Sequence, residues 1–200
     1  MQNIVLVFIA IFILLIILIY FMKKSKIKIK DDYFDIFLKN IKLYMKVNHP
    51  KIELNFSFLN SFTNQSKKSK QTLVIQEVLS QFYDYSYTKE TQKSIPKSKL
   101  WQNFVENPKN DRLPTDWALR KEFAFNRDKN LCNRCNHLIK DVKDAQTSFV
   151  KDIDNGGSYS FENIIIFCPN CKKVVDSNTS KDNVISSLEL YDELLKFIVD

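Results

Sequence analysis

NLCNRC (Asn130–Cys135) and ENIIIFCPNC (Glu162–Cys171) contain all four cysteines of the 200-residue chain. They form two Cys-x-x-Cys pairs, Cys132/Cys135 and Cys168/Cys171, with 32 residues between them. Each pair offers two sulfurs from one tight turn, and two such turns close a tetrahedral thiolate shell around one ion. The pattern predicts a structural zinc site, because four sulfurs leave no position open for a reactive water. Two disulfides, a redox pair or chance would also leave cysteines in pairs, and spacing alone admits a four-cysteine iron–sulfur cluster. Two knuckles with no cysteine left over favour zinc.

Working outward, the chain's two glycines, Gly156 and Gly157, are adjacent and lie between the knuckles. Ser148–Ile153 before them and Asn163–Phe167 after them are rich in Ile, Val and Phe, which predicts two strands. Asp154–Gly157 supplies the turn. A helix is expected to start near Lys172. The predicted order is knuckle, strand, turn, strand, knuckle, helix.

Composition excludes several classes. Two glycines rule out glycine-rich phosphate loops and collagen repeats, and four cysteines are too few for a disulfide-dense scaffold. An apolar fraction of 44% with 26% charged residues argues against wholesale disorder. The formal net charge of +7 is uneven. Residues 23–30 (KKSKIKIK) hold five lysines and no acid, which leaves residues 31–200 at only +2. Residues 112–180 hold 11 basic and 9 acidic side chains, so nucleic-acid affinity there would come from local patches. Arg120, Lys121, Arg127 and Arg134 are candidates.

Ile4–Met22 (IVLVFIAIFILLIILIYFM) is uncharged throughout. As a helix it would extend about 28 Å, close to the hydrocarbon thickness of a bilayer. The expectation is a single-pass anchor in the inner or cytoplasmic membrane, with the bilayer as partner through residues 4–22. The lysines that follow place the remaining chain in the cytoplasm.

The middle of the chain has helical periodicity at Phe34, Phe37, Leu38 and Ile41, ended by His49-Pro50. Ile52, Leu54, Phe56 and Phe58 alternate and predict a strand. Ser61–Lys70 reads as loop, Ile75–Phe82 as helix, and Leu100–Val105 as a further short helix. His49 has no cysteine or carboxylate partner at local spacing, which points to a turn or packing role. Val184, Leu188, Tyr191, Leu195 and Ile198 predict a C-terminal amphipathic helix.

DWALRKEFAFNRDKNLCNRC (Asp116–Cys135) and FVKDIDNGGSYSFENIIIFCPNC (Phe149–Cys171) together carry a more specific signal. Residues 114 to about 178 resemble an HNH endonuclease domain of the zinc-ribbon-supported kind, over about a third of the chain. The first stretch is similar to that family's lead-in helix, Arg-Asp and first knuckle. The second is similar to its hairpin, double-glycine turn, Glu-Asn-Leu-like segment and second knuckle. The resemblance implies a ββα-metal unit. In active members a histidine ending the first strand deprotonates water, a neighbouring Asp or His and a histidine opening the helix hold a divalent ion, and an asparagine fixes the hairpin.

Asn163 matches that asparagine. Asp152 stands where the base histidine is expected, Lys151 at its metal-binding neighbour, and Lys172 at the final histidine. Three readings stay open. The first is a domain that binds nucleic acid, DNA ahead of RNA, without cutting it, using Lys151, Lys172, Lys173 and Arg120. The second is an active, rearranged nuclease in which Asp152 and Asp154 hold Mg²⁺ or another divalent ion and His137 is the base. The third is a zinc-supported protein-interaction module. The expected architecture is α+β: a transmembrane anchor (1–22), a basic juxtamembrane segment (23–30), a mostly helical accessory domain (31–111), a ββα HNH-like domain with a four-cysteine zinc site (112–180) and an amphipathic helix (181–200). Oligomeric state is not readable from these features.

Overall fold

Helices account for most of the chain. The computed structural model describes residues 2–62, 65–90 and 113–198, the side chains of 2–11 and 23–32 aside. The helix expected at Leu100–Val105 lies outside the described residues. Helix α1 spans Gln2–Asn48. It buries Phe37, Ile41 and Met45 at the i, i+4, i+8 spacing of one helical face. Asn48 returns its side-chain amide to the Tyr44 carbonyl (3.0 Å), and Pro50 forbids further helix.

The anchor expected over residues 4–22 is corrected here. Among the described residues no helix is long and apolar enough to cross a membrane. The apolar stretch with described side chains, Phe12–Met22, rises only about 16 Å, roughly half a bilayer core. It does not end as a separate element but runs on as one helix through the lysines to Asn48. The single-pass placement in an inner or cytoplasmic membrane falls with it.

Helix α2 (Lys67–Asp84) begins earlier than its periodicity suggests. Ser66 caps it, its hydroxyl accepting from the Ser69 amide at 3.3 Å, so part of the polar segment read as loop is helical. Its buried face, Val74, Ile75, Val78, Leu79 and Phe82, joins the core with the inner face of α1. The strand expected at Ile52–Phe58 does not form. Gln81 of α2 satisfies Asn55 in both directions: its Oε1 accepts from the Asn55 amide and its Nε2 donates to the Asn55 carbonyl, each at 2.8 Å. A side-chain amide thus takes the place of a partner strand. A 3-10 turn follows at Ser57–Phe62.

The α+β expectation is corrected on the same grounds. The described chain is mostly helical, and its sheet is two strands of four residues, β1 (Gln146–Phe149) and β2 (Ile164–Phe167). They pair antiparallel, with Gln146 opposite Phe167 and Phe149 opposite Ile164. All four β2 residues are buried, and the strand packs against α3 (Trp117–Arg127) and α4 (Pro169–Asp176). Two arginines fasten α3 to the segment before β2. Arg120 donates to Asp116 (2.8 Å) and to the Tyr159 carbonyl (2.7 Å). Arg127 donates to the carbonyls of Phe161 (2.8 Å) and Ile164 (2.6 Å) while held in a two-point pair by Asp128.

The β1–β2 connection is tight. Gly156 has φ +81°, a left-handed conformation. A Cβ built on Gly157 would overlap the carbonyl oxygen of Lys151. Gly157→Ala is therefore expected to destabilise the fold by about 2 kcal/mol, read as a lower denaturant midpoint.

The C-terminal amphipathic segment is two helices rather than one, α5 (Lys181–Ser187) and α6 (Glu189–Leu195). Buried Leu188 is extended between them (φ −73°, ψ 135°). The Asn170 carboxamide accepts the Leu190 amide at 3.2 Å, which gives the second helix its own start.

Candidate metal centre

The first knuckle turns at Asn136, whose φ of +65° is left-handed. Asparagine tolerates this region better than most residues. The Asn136 amide donates to the Cys132 carbonyl, and the Cys132 amide to the His137 carbonyl, each at 2.9 Å. The Asn133 amide donates to Ile166 of β2 at 2.7 Å, which docks the knuckle on the sheet. Cys168 and Cys171 come from the end of β2 and the first turn of α4, where Pro169 starts the helix.

The two knuckles converge. All four cysteines are buried and free of disulfides, and their sulfurs lie within 4.8 Å of one another. Cys135 Sγ and Cys168 Sγ are 3.8 Å apart. A tetrahedral ion with metal–sulfur bonds of about 2.3 Å requires sulfur separations of about 3.8 Å. The four cysteines are arranged to hold a metal ion. Among themselves they favour one thiolate: burial raises the Cys132 thiol, but S–H donation from Cys135, Cys168 and Cys171 outweighs it and holds Cys132 below the ordinary thiol range. Cys135 and Cys168 are pushed up, each chiefly by its bond to Cys132. An ion would displace those protons, since the thiolate is the ligand.

Two side chains reach the sulfurs from outside the set. Buried His49, immediately after α1, places Nδ1 3.2 Å from Cys135 Sγ. Burial, and secondarily His137, lower its pKa to about 4. The ring is neutral at pH 7; once an ion has displaced the Cys135 proton the thiolate can only accept, so the single N–H then sits at Nδ1 and donates to sulfur. Arg134, inside the first knuckle, is 1% exposed. One guanidinium nitrogen lies 3.6 Å from Cys171 Sγ. The other donates to the carbonyls of Phe82 (2.6 Å), Tyr83 (3.2 Å) and Tyr85 (2.9 Å) at the end of α2. The Lys51 amide adds a bond to the Cys135 carbonyl at 3.2 Å. The centre thus joins α1, α2 and the sheet.

Sequence reasoning missed both contacts. His49 and Cys135 are 86 positions apart, so no local spacing could pair them. Arg134 had a local signal, its place between two ligand cysteines, but reads from sequence as one more surface cation.

The remaining candidates fall in different places. The Asn163 carboxamide spans the β1–β2 loop: Oδ1 accepts the Lys151 amide (2.9 Å) and Nδ2 donates to the carbonyls of Lys151 and Ser158 (2.8 Å each). Lys151 is exposed beside it, and with Gly156, Ser158, Ser160 and Glu162 lines an open cleft of about 270 Å³. Asp152 is exposed on the same loop and pairs with Lys89 at 3.2 Å. Asp154 is exposed in the 3-10 turn Ile153–Asn155. His137 is not at this loop; its Nδ1 lies 2.9 Å from the Asn48 carbonyl and its ring stacks on His49. Lys172 pairs with Asp176 (2.9 Å), Lys173 bonds the Ser187 carbonyl (2.8 Å), and Arg120 is buried. The structure therefore groups Lys151, Asp152, Asp154 and Asn163, and directs His137, Lys173 and Arg120 to other partners. No family model, curated protein or solved structure matches the chain.

Proposed function

We propose that the protein is a zinc-stapled nucleic-acid-binding protein, HNH endonuclease-like in its sequence, that holds a phosphate backbone at the Lys151–Asn163 loop without cutting it. The Asn163 carboxamide carries this reading. Its bonds to the Lys151 backbone brace the loop as the resemblance asks of its asparagine. The position of the base meanwhile holds Asp152, paired with Lys89. Neither histidine of the chain reaches the loop in any described contact, so a histidine base is not at hand there. Lys151 brings an exposed positive charge to a cleft lined by serine hydroxyls, a combination suited to phosphate oxygens.

Cys132, Cys135, Cys168 and Cys171 would hold the zinc, whose closed sulfur shell supplies structure rather than Lewis acidity. Arg134 offsets part of the charge that four thiolates and one divalent ion leave behind, and neutral His49 adds a hydrogen bond to one sulfur.

The test incubates the full chain with plasmid DNA and with RNA under Mg²⁺, Mn²⁺ and Zn²⁺. The expected result is a salt-sensitive gel shift without cleavage, weakened about three- to tenfold in Lys151→Glu. Cleavage would establish the active nuclease instead, and no shift at low salt would leave the protein-interaction module.

A further inference from the structure

Helix α1 presents three faces over its last two turns and the turns before them. One is the core face already described. A second is polar, with Asp35, Lys39, Lys42 and Lys46. The third is apolar and exposed: Tyr33 (45%), Ile36 (47%), Leu43 (57%) and Val47 (66%). None of these four packs against the core. With Asn40 they follow spacings of three, four, three and four, the a/d rhythm of a coiled-coil seam. Counting back by heptads passes Ile29, Lys26 and Met22 to Ile19, Leu15 and Phe12. The segment Phe12–Met22 is apolar all round and fits any register, so residues 33–47 set the phase.

We infer that this stripe is the seam of a parallel homodimer, in which α1 pairs in register with α1 of a second copy. Three observations select that occupant. Asn40 falls at an a position within an otherwise apolar stretch. Two carboxamides at the same level donate to and accept from each other, which only an identical, parallel, in-register helix provides. Second, eight seam side chains, Phe12, Leu15, Ile19, Met22 and the four above, are 45–66% exposed. At on the order of 100 Å² each, two chains bury on the order of 1,500 Å², the area of a stable interface. Third, over residues 33–47 no lysine of one helix is set against a lysine of the other. In a parallel pair Lys39 and Lys46 lie beside the seam at g positions, where Lys39 meets Tyr44 of the other helix rather than a lysine. Both metal centres then lie at the same end of the pair.

The full chain is tested under reducing conditions by sedimentation equilibrium. The expected mass is twice the chain's 23.6 kDa. Under mild oxidation Ile36→Cys, on the seam, is expected to cross-link at least about tenfold faster than Lys39→Cys, at a g position beside it, because only the former brings two Cβ atoms within disulfide reach. Leu43→Glu is expected to give a monomer with unchanged metal content. A monomeric parent chain, a trimer or larger assembly, or equal cross-linking at positions 36 and 39 would overturn the inference. Should Leu43→Glu fail to fold, the mass of the parent chain and the two cysteine variants decide alone.

Discussion

Removing the metal ion from the full chain is expected to abolish its cooperative thermal transition, in the N-terminal helices as well as around the knuckles. A two-stranded sheet of four-residue strands is not stable alone. Here β2 ends directly in Cys168, and the first knuckle docks on it through the Asn133–Ile166 bond. The same centre receives His49 from the end of α1 and, through Arg134, the last carbonyls of α2. Structural zinc contributes about 10–16 kcal/mol of apparent binding energy in small domains, against a total stability of about 5–15 kcal/mol. The metal term is therefore large enough to decide between folded and unfolded. Circular dichroism melts before and after chelation under reducing conditions, with zinc returned afterwards, provide the check. Cys171→Ser should reproduce the chelated state because it opens the shell. An apo chain that melts at the parent temperature would overturn this account and remove the basis for the zinc assignment.

Arg134→Met is expected to cost about 3–5 kcal/mol and to weaken metal retention. The methionine keeps the bulk of the stem but leaves the Phe82, Tyr83 and Tyr85 carbonyls without their shared donor. The Phe82 carbonyl is buried, and orphaning it alone costs about 1–3 kcal/mol, with the part-buried Tyr83 and Tyr85 carbonyls adding to that. The guanidinium also faces Cys171 Sγ and lies over the rings of Phe82 and Tyr85 (5.1 and 5.4 Å), contacts a thioether reproduces only in part. Arg134→Lys should not restore stability, because a single ammonium cannot reach carbonyls and sulfur from opposite ends of one plane. Guanidinium denaturation gives the stability change, and competition with a chelator gives the metal affinity. A variant within about 0.5 kcal/mol of the parent would show that the arginine is a passenger.

The features that were legible along the chain are those whose partners sit close by or repeat at fixed intervals. The four ligand cysteines, the Gly156–Gly157 turn, the buried run Ile164–Phe167 and the end of α1 at His49-Pro50 all follow from local spacing or from the backbone limits of single residues. Two local signals misled. The alternation at Ile52–Phe58 describes side chains facing opposite ways, but a strand also needs a neighbour, and Gln81 occupies that role. The apolarity of residues 4–22 measures a segment, whereas the helix is one piece to Asn48, and no described part of it is long and apolar enough to cross a membrane.

Residue type and spacing thus settled which atoms could bind an ion and where the chain must turn. Packing settled the rest: that a histidine 86 positions away donates to Cys135, that Arg134 faces inward, and that His137 is held at α1 rather than at the loop. Spacing constrains only neighbours in the chain. Which distant side chain meets a sulfur depends on how the helices bury their apolar faces against one another, and that is a property of the assembled core.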